Sequence, residues 1–255
     1  MSERRRFAEI VRSDVVDVGL ACLLIGSEVE PDLDVDDSLE VLDRLAASVQ
    51  LGGPGPLAAA QALQEALGVQ AGFSGRPEDY EDLRSSLLHQ VLRRGRGLPI
   101  LLSVVWCEVA VRLGVPAVPL GRPGHVLVCI GDPLDEYVVV DPFASGAVVD
   151  VPAEPLLDAV SLLERVLTNI RVLTERQGRS IESTRIRLWA TELTLLLPHH
   201  PVELRRERGE LLARLGDFVQ AGQVLADYAA LIESVDEQGA EQALRQAQQA
   251  RARLN

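Results

Sequence analysis

One ordered set of residues constrains this chain more than any other. Arg96-Gly97-Leu98-Pro99 opens an apolar helix, Pro123-Gly124-His125 starts a strand, and Asp141-Pro142-Phe143 closes the strand after it. A helix start, a His on the next strand and an Asp on the one after reproduce the Cys-His-Asp layout of nucleophilic catalysis. In that layout the acid orients the base and the base activates the nucleophile. Here the residue at the helix start is Pro99, and a proline cannot attack a carbonyl. The chain keeps the general-base half of a triad and lacks the residue that base would activate.

The flanking pattern gives these residues a frame. Proline loses no hydrogen bond in a first helical turn, so Pro99 suits the start of a helix that Gly114 ends. The pattern then becomes β-rich at 115–120, 125–130, 137–141 and 147–151, broken by Gly, Pro and Asp. Gly131-Asp132-Pro133-Leu134-Asp135 reads as a hairpin turn. Four short sequential strands imply a small antiparallel sheet.

Upstream, apolar residues recur at helical spacing through 1–50 (Phe7, Ile10, Val11, Val15, Val18, Leu20, then Leu39, Leu42, Leu45). The acidic stretch 28–37 lacks the Gly and terminal Glu of a calcium loop, so Asp37 reads as a helix N-cap. Residues 57–67 and 80–94 read as further helices. Downstream the chain is helical again, at 162–173, 186–197, 203–215, 218–232 and about 238–254. Gly216-Asp217-Phe218 with Ala221, Leu225 and Tyr228 fits the middle of a tetratricopeptide unit, where small residues let two helices approach.

The net charge of -13 over 255 residues excludes nonspecific nucleic-acid binding and docking on anionic membranes, since both need a basic surface. Cys22, Cys107 and Cys129 lie in apolar runs without paired spacing and read as reduced, buried thiols. The basic N-terminus is followed by Glu9, Arg12, Asp14 and Asp17, so no signal-peptide core forms, and the run 98–107 is too short to span a bilayer. The expectation is a cytoplasmic protein. No HExxH or CxxC spacing points to a metal, and no cofactor is expected.

Taken together the pieces resemble a bacterial transglutaminase-like family with a C-terminal tetratricopeptide-like region (the SirB-one type). The segments that carry the resemblance are Gly72-Phe73-Ser74-Gly75, Tyr80, Ser86 with Leu88, Val91-Leu92, Gly97-Leu98-Pro99, Pro123-Gly124-His125, Asp141-Pro142-Phe143 with Gly146, Leu167-Thr168-Asn169 and Arg208-Gly209. The family usually carries proline where catalytic transglutaminases carry cysteine, and Pro99 follows it. The chain departs from the family pattern at Arg122, where an aromatic commonly precedes Pro-Gly-His. It departs again at Ser85, commonly Asn, and at Val126, commonly Phe.

The expected fold is α+β. A papain/transglutaminase-like core at 71–152, one central helix on a small antiparallel sheet, follows a helical segment at 1–70. A helical, tetratricopeptide-like region at 153–255 comes after it. His125 and Asp141 form either a remnant of a catalytic dyad or a structural pair pinning two strands. Pro99, Arg122, Gly124 and Phe143 border the expected cleft. Cys107 is about 12 Å beyond Pro99 along a helix axis, too far to serve His125. Ser103, one turn on from Pro99, is the remaining candidate nucleophile; its bland reading is a packed helix hydroxyl.

Arg205, Arg206 and Arg208 form a basic cluster that either meets an acidic partner or pairs with Glu203, Glu207 and Glu210. The leading functional expectation is a non-catalytic scaffold that binds a peptide or protein. The alternatives are a hydrolase or acyltransferase using His125 and Asp141 with Ser103 or water, and an interaction protein with a closed cleft. Oligomeric state is not legible.

Overall fold

The apolar run after Pro99 sets the centre of the fold. The computed structural model describes residues 2–178 and 180–253. It divides into two compact units, Met1–Val166 and Leu167–Asn255. The first holds α1 (Glu3–Ile10), α2 (Val18–Gly26), α3 (Val35–Ser48), α4 (Pro56–Leu63), α5 (Leu88–Arg94) and α6 (Pro99–Arg112). Then come β1 (Ala117–Arg122), β2 (His125–Gly131), β3 (Tyr137–Asp141) and β4 (Ala147–Val149). The unit boundary falls within α7 (Ala159–Arg176). The fold is α+β, a central helix with a small antiparallel sheet.

Every residue of α6 from Pro99 to Trp106 is buried. A helix apolar all round belongs in a core, and α6 packs on α2, α3, α5, β1 and β2. Pro99 occupies its first position, and the preceding Leu98 is extended (φ -67°, ψ 154°), as a residue before proline prefers. The Leu98 N–H donates to the Ser85 carbonyl at 2.9 Å, which ties the helix start to the loop before α5. Trp106 meets Phe73 edge to face at 6.3 Å. Gly146, at φ +79°, clears the same indole: a Cβ there would lie 3.2 Å from the ring.

The strands run in the order β1-β2-β3-β4, with each neighbouring pair antiparallel. Pro123-Gly124 forms a two-residue turn that sets Arg122 opposite His125. Gly124 has φ +68° there, a conformation such hairpins require. β1 starts two residues later than expected because the Val115 N–H still bonds back to the Ala110 carbonyl of α6, at 2.9 Å. Strand alternation puts Arg122, His125, Cys129, Val139 and Asp141 on one face. On that face Leu120, Leu127, Cys129 and Val139 cluster with Ala153. The free side of β1 is covered: Gly121 donates to the Pro155 carbonyl and Leu157 to the Pro119 carbonyl.

Several sequence expectations give way in the N-terminal half. The helical recurrence from Phe7 to Leu20 breaks after Ile10, because the Asp17 carboxylate accepts from the Leu20 N–H and starts α2 afresh. The N-cap of α3 is Asp34, accepting from the Asp37 N–H, three residues earlier than expected. The helix expected at 57–67 becomes α4 followed by a π-helical turn, Gln64–Gln70. That turn brings Gly68 against the Ser145 carbonyl, where a Cβ would lie 2.1 Å from the oxygen.

The helix expected at 80–94 becomes two 3-10 turns, Pro77–Glu81 and Leu83–Ser86, and only then α5. Asp79 and Asp82 capture the backbone N–H groups of Arg76 and Arg84, a local alternative to helical bonding.

The second unit adds α8 (Ile181–Thr194), α9 (Glu203–Arg214), α10 (Phe218–Ile232) and α11 (Glu237–Ala252). α10 packs on both α9 and α11. Gly209 permits the first contact: a Cβ there would lie 2.6 Å from Leu225. Among the described residues no helix is long and apolar enough to cross a membrane.

Candidate functional site

His125 begins β2 and Asp141 ends β3, so the antiparallel pairing alone brings them to one end of one sheet face. The imidazole Nε2 lies 3.0 Å and 3.1 Å from the two Asp141 carboxylate oxygens. The same carboxylate accepts from the Phe143 N–H at 2.9 Å, which fixes its orientation. Phe143 then turns its ring edge-on to the imidazole, with centroids 5.7 Å apart. Tyr80 packs against Phe143, with ring centroids 5.9 Å apart. Its hydroxyl donates to the Gly124 carbonyl at 3.3 Å. Burial, with the Asp141 charge adding, holds the Tyr80 phenol above its ordinary range.

The stretch between α5 and α6 is linked to this group through one short loop. Ser74 donates to the carbonyl of Gly95, the residue that caps α5, and Gly75 donates to the Phe143 carbonyl on the side of the dyad. Gly75 is required: a Cβ would lie 1.8 Å from the Phe143 ring. Beneath the loop is the fully buried Asp79. It accepts from Ser85 Oγ at 2.8 Å, Arg96 Nε at 3.0 Å and the Arg76 N–H at 2.9 Å, with Arg94 at 3.5 Å. Sequence reasoning missed this hub. Its available signal was Asp79 six residues before Ser85 and ahead of the Arg-rich 93–96 run.

The candidate nucleophiles are placed as follows. Ser103 is 0% exposed and its Oγ donates to the Ile100 carbonyl at 2.7 Å. Cys22 and Cys129 are buried, Cys107 is partly exposed, and all three thiols are free. Burial pushes each thiol up from its ordinary pKa, with Glu108 adding at Cys22 and Cys107. A thiol so raised stays protonated at neutral pH and is a poor nucleophile.

A family model described as the transglutaminase-like superfamily matches residues 36–168, from α3 into α7. The chain belongs to this superfamily. A UPF0162 protein of Xylella fastidiosa strain 9a5c is 32% identical over 239 residues, covering 83% of each chain. F-box only protein 21 of mouse is 31% identical over 129 residues, 43% of this chain and 21% of its own length. The human F-box only protein 21 is 30% identical over the same length. No solved structure matches.

In this transglutaminase-like chain Arg122 and Arg165 flank the His125 turn. Arg122 donates to the Pro152 carbonyl at 2.9 Å. Arg165 donates to the carbonyls of Arg122 and His125, at 2.9 Å and 3.3 Å. Arg165 was not legible as a site residue, because its partners are backbone atoms.

His89 is 1% exposed and packs between Gly26 and Glu30. Among the described residues no group of three or more His, Cys, Asp or Glu could hold a metal. In the second unit Arg205 is exposed, Arg206 pairs with Glu210, and Arg208 pairs with Glu192 on α8. Glu207 is held by Arg171 and Arg187, which keep its carboxyl below the usual range against the opposing effect of burial.

Proposed function

We propose that this chain is a non-catalytic member of the transglutaminase-like superfamily, a scaffold whose cleft binds a peptide or protein segment in the bacterial cytoplasm. Two observations carry the reading: the His125–Asp141 dyad is oriented, and Pro99 rather than a nucleophile occupies the first position of α6. A base so placed has no hydroxyl or thiol to activate at the helix start. The bond from Ser103 to Ile100 and the burial of Cys22 and Cys129 support the same conclusion.

An imidazole partnered by a carboxylate and bordered by Phe143, Tyr80 and Gly124 offers a peptide one polar contact and an aromatic wall. The close approach of Gly209 to Leu225 supports a tetratricopeptide-like role for the second unit. Arg205, Arg206 and Arg208 are its candidate partner surface. The second reading is a hydrolase or acyltransferase in which His125 activates Ser103 or a water, and the intact His125–Asp141 bond favours it.

The test is turnover of ester, amide and isopeptide substrates by the wild type and by His125→Ala, with binding of capped peptides followed by amide shifts. The expected result is no turnover by either protein. Peptide-induced shifts should appear at Gly124, His125 and Phe143 and weaken in His125→Ala. Turnover that His125→Ala abolishes would overturn the reading in favour of the enzyme.

A further inference from the structure

Arg122 is the cross-strand partner of His125, and such pairs keep their Cβ atoms about 5 Å apart on one face. Its guanidinium is half-buried and bonds to a neutral carbonyl, that of Pro152. Among the described residues it forms no ion pair. Arg165, which bonds the Arg122 carbonyl, likewise meets only neutral carbonyls, whereas Arg84, Arg94 and Arg96 each hold a carboxylate.

Arg122 lines a groove of about 660 Å³ between the β2–β3 turn and residues 152–156. Pro133, Leu134, Tyr137 and Leu156 form its apolar walls. Leu134 is 95% exposed and Leu156 52% exposed, so this apolar surface is left open. Glu154 also lines the groove and forms no ion pair with Arg122.

We propose that this groove is a subsite of the His125 cleft that takes an extended peptide carrying a carboxylate. The carboxylate meets Arg122, and apolar side chains on either side of it pack against Leu134, Tyr137 and Leu156. The inference rests on the peptide-binding reading above and adds the class of peptide. A guanidinium has five N–H donors in a planar fork, and Arg122 uses one nitrogen on Pro152. The rest of the fork matches a carboxylate. The volume suits a few side chains rather than a folded surface. A polyanion is disfavoured by the net charge, whereas one carboxylate beside one arginine is not.

Arg165 braces the arrangement by holding the carbonyls of Arg122 and His125. Gly121 makes room for it, since a Cβ there would lie 2.7 Å from Arg165 Nη1.

The test titrates capped octapeptides centred on Val-Glu-Leu, Val-Gln-Leu or Val-Lys-Leu into the full-length protein, read by amide shifts and fluorescence anisotropy. The Glu peptide should bind about tenfold more tightly than the Gln peptide, a charge-assisted gain, and the Lys peptide more weakly than either. Arg122→Gln should erase the preference for Glu and leave the Gln peptide unchanged. Leu134→Ser, at a surface position, should weaken all three.

Equal affinity for the Glu and Gln peptides, or a preference that survives Arg122→Gln, overturns the proposal. Shifts at His125 and Phe143 would still keep the cleft reading standing in that case. Free glutarate showing the same Arg122-dependent affinity as the Glu peptide overturns the peptide assignment in favour of a small carboxylate. No binding of any peptide at low millimolar concentration overturns the subsite, and the substrate and His125→Ala comparison then decides the cleft separately.

Discussion

His89 lies against Gly26 so closely that a Cβ on Gly26 would sit 2.3 Å from the imidazole Nδ1. Its Nε2 is 3.3 Å from a Glu30 carboxylate oxygen, yet neither ring nitrogen has a hydrogen-bond partner. Burial holds the imidazole below its ordinary pKa of 6.5, Glu30 opposes the shift, and Arg93 adds to it. Below about pH 6.5 the unfolded chain therefore binds a proton here that the folded chain refuses. Stability should fall as pH drops from 7.5 to 5.5, and His89→Gln should flatten that fall. Urea midpoints of both proteins at the two pH values measure it; equal slopes would contradict the account.

Gly26→Ala should destabilise the first unit by about 1–3 kcal/mol, the usual range for overpacking a tight contact. Adding His89→Ala should recover part of the loss, because the two residues share one space. Additive losses in the double variant would mean that the clash is not with His89.

Asp79→Ala should cost about 3–5 kcal/mol, since it removes the buried carboxylate on which Arg94, Arg96 and Ser85 converge. The same change frees the loop that joins the end of α5 to Phe143. Urea unfolding gives the magnitude, and hydrogen exchange at Ser74 and Gly75 should accelerate with it. A loss under about 1 kcal/mol, the range of an exposed pair, would remove Asp79 from its place as the hub.

Gly75→Ala should displace the Phe143 ring, whose nearest carbon would lie 1.8 Å from the new Cβ. The ring is also the edge-on neighbour of His125. The imidazole proton resonances of His125 should therefore move in this variant while the sheet amides stay in place. Unchanged resonances would show that Phe143 does not position the base.

The four strands and the central helix were legible because their signals are local. Gly114 ends α6, Pro123-Gly124 turns β1 into β2, and apolar β-branched runs lie between. The meeting of His125 with Asp141 was legible for the same reason, since sequential antiparallel strands put the start of one beside the end of the next. The 77–94 region was not legible. Its apolar spacing is helical, but the Asp79 and Asp82 carboxylates take backbone N–H groups, and the charges that hold Asp79 come from Arg94 and Arg96 across the loop. The burial of His89 was not legible either, because its neighbour, Gly26 of α2, is far from it in sequence. Residues that act through backbone carbonyls, such as Arg165, leave no pattern in sequence.

The proposed non-catalytic role requires Pro99 to stand where His125 would serve a nucleophile. It is tested by intact-protein mass spectrometry after exposure to acyl-type serine and thiol probes, on the wild type, Ser103→Ala, Pro99→Cys and Pro99→Cys/His125→Ala. The expected result is no His125-dependent adduct on the wild type, no change from Ser103→Ala, and an adduct on Pro99→Cys that slows when His125 is removed. A wild-type adduct that disappears in Ser103→Ala would contradict it and make the chain an enzyme.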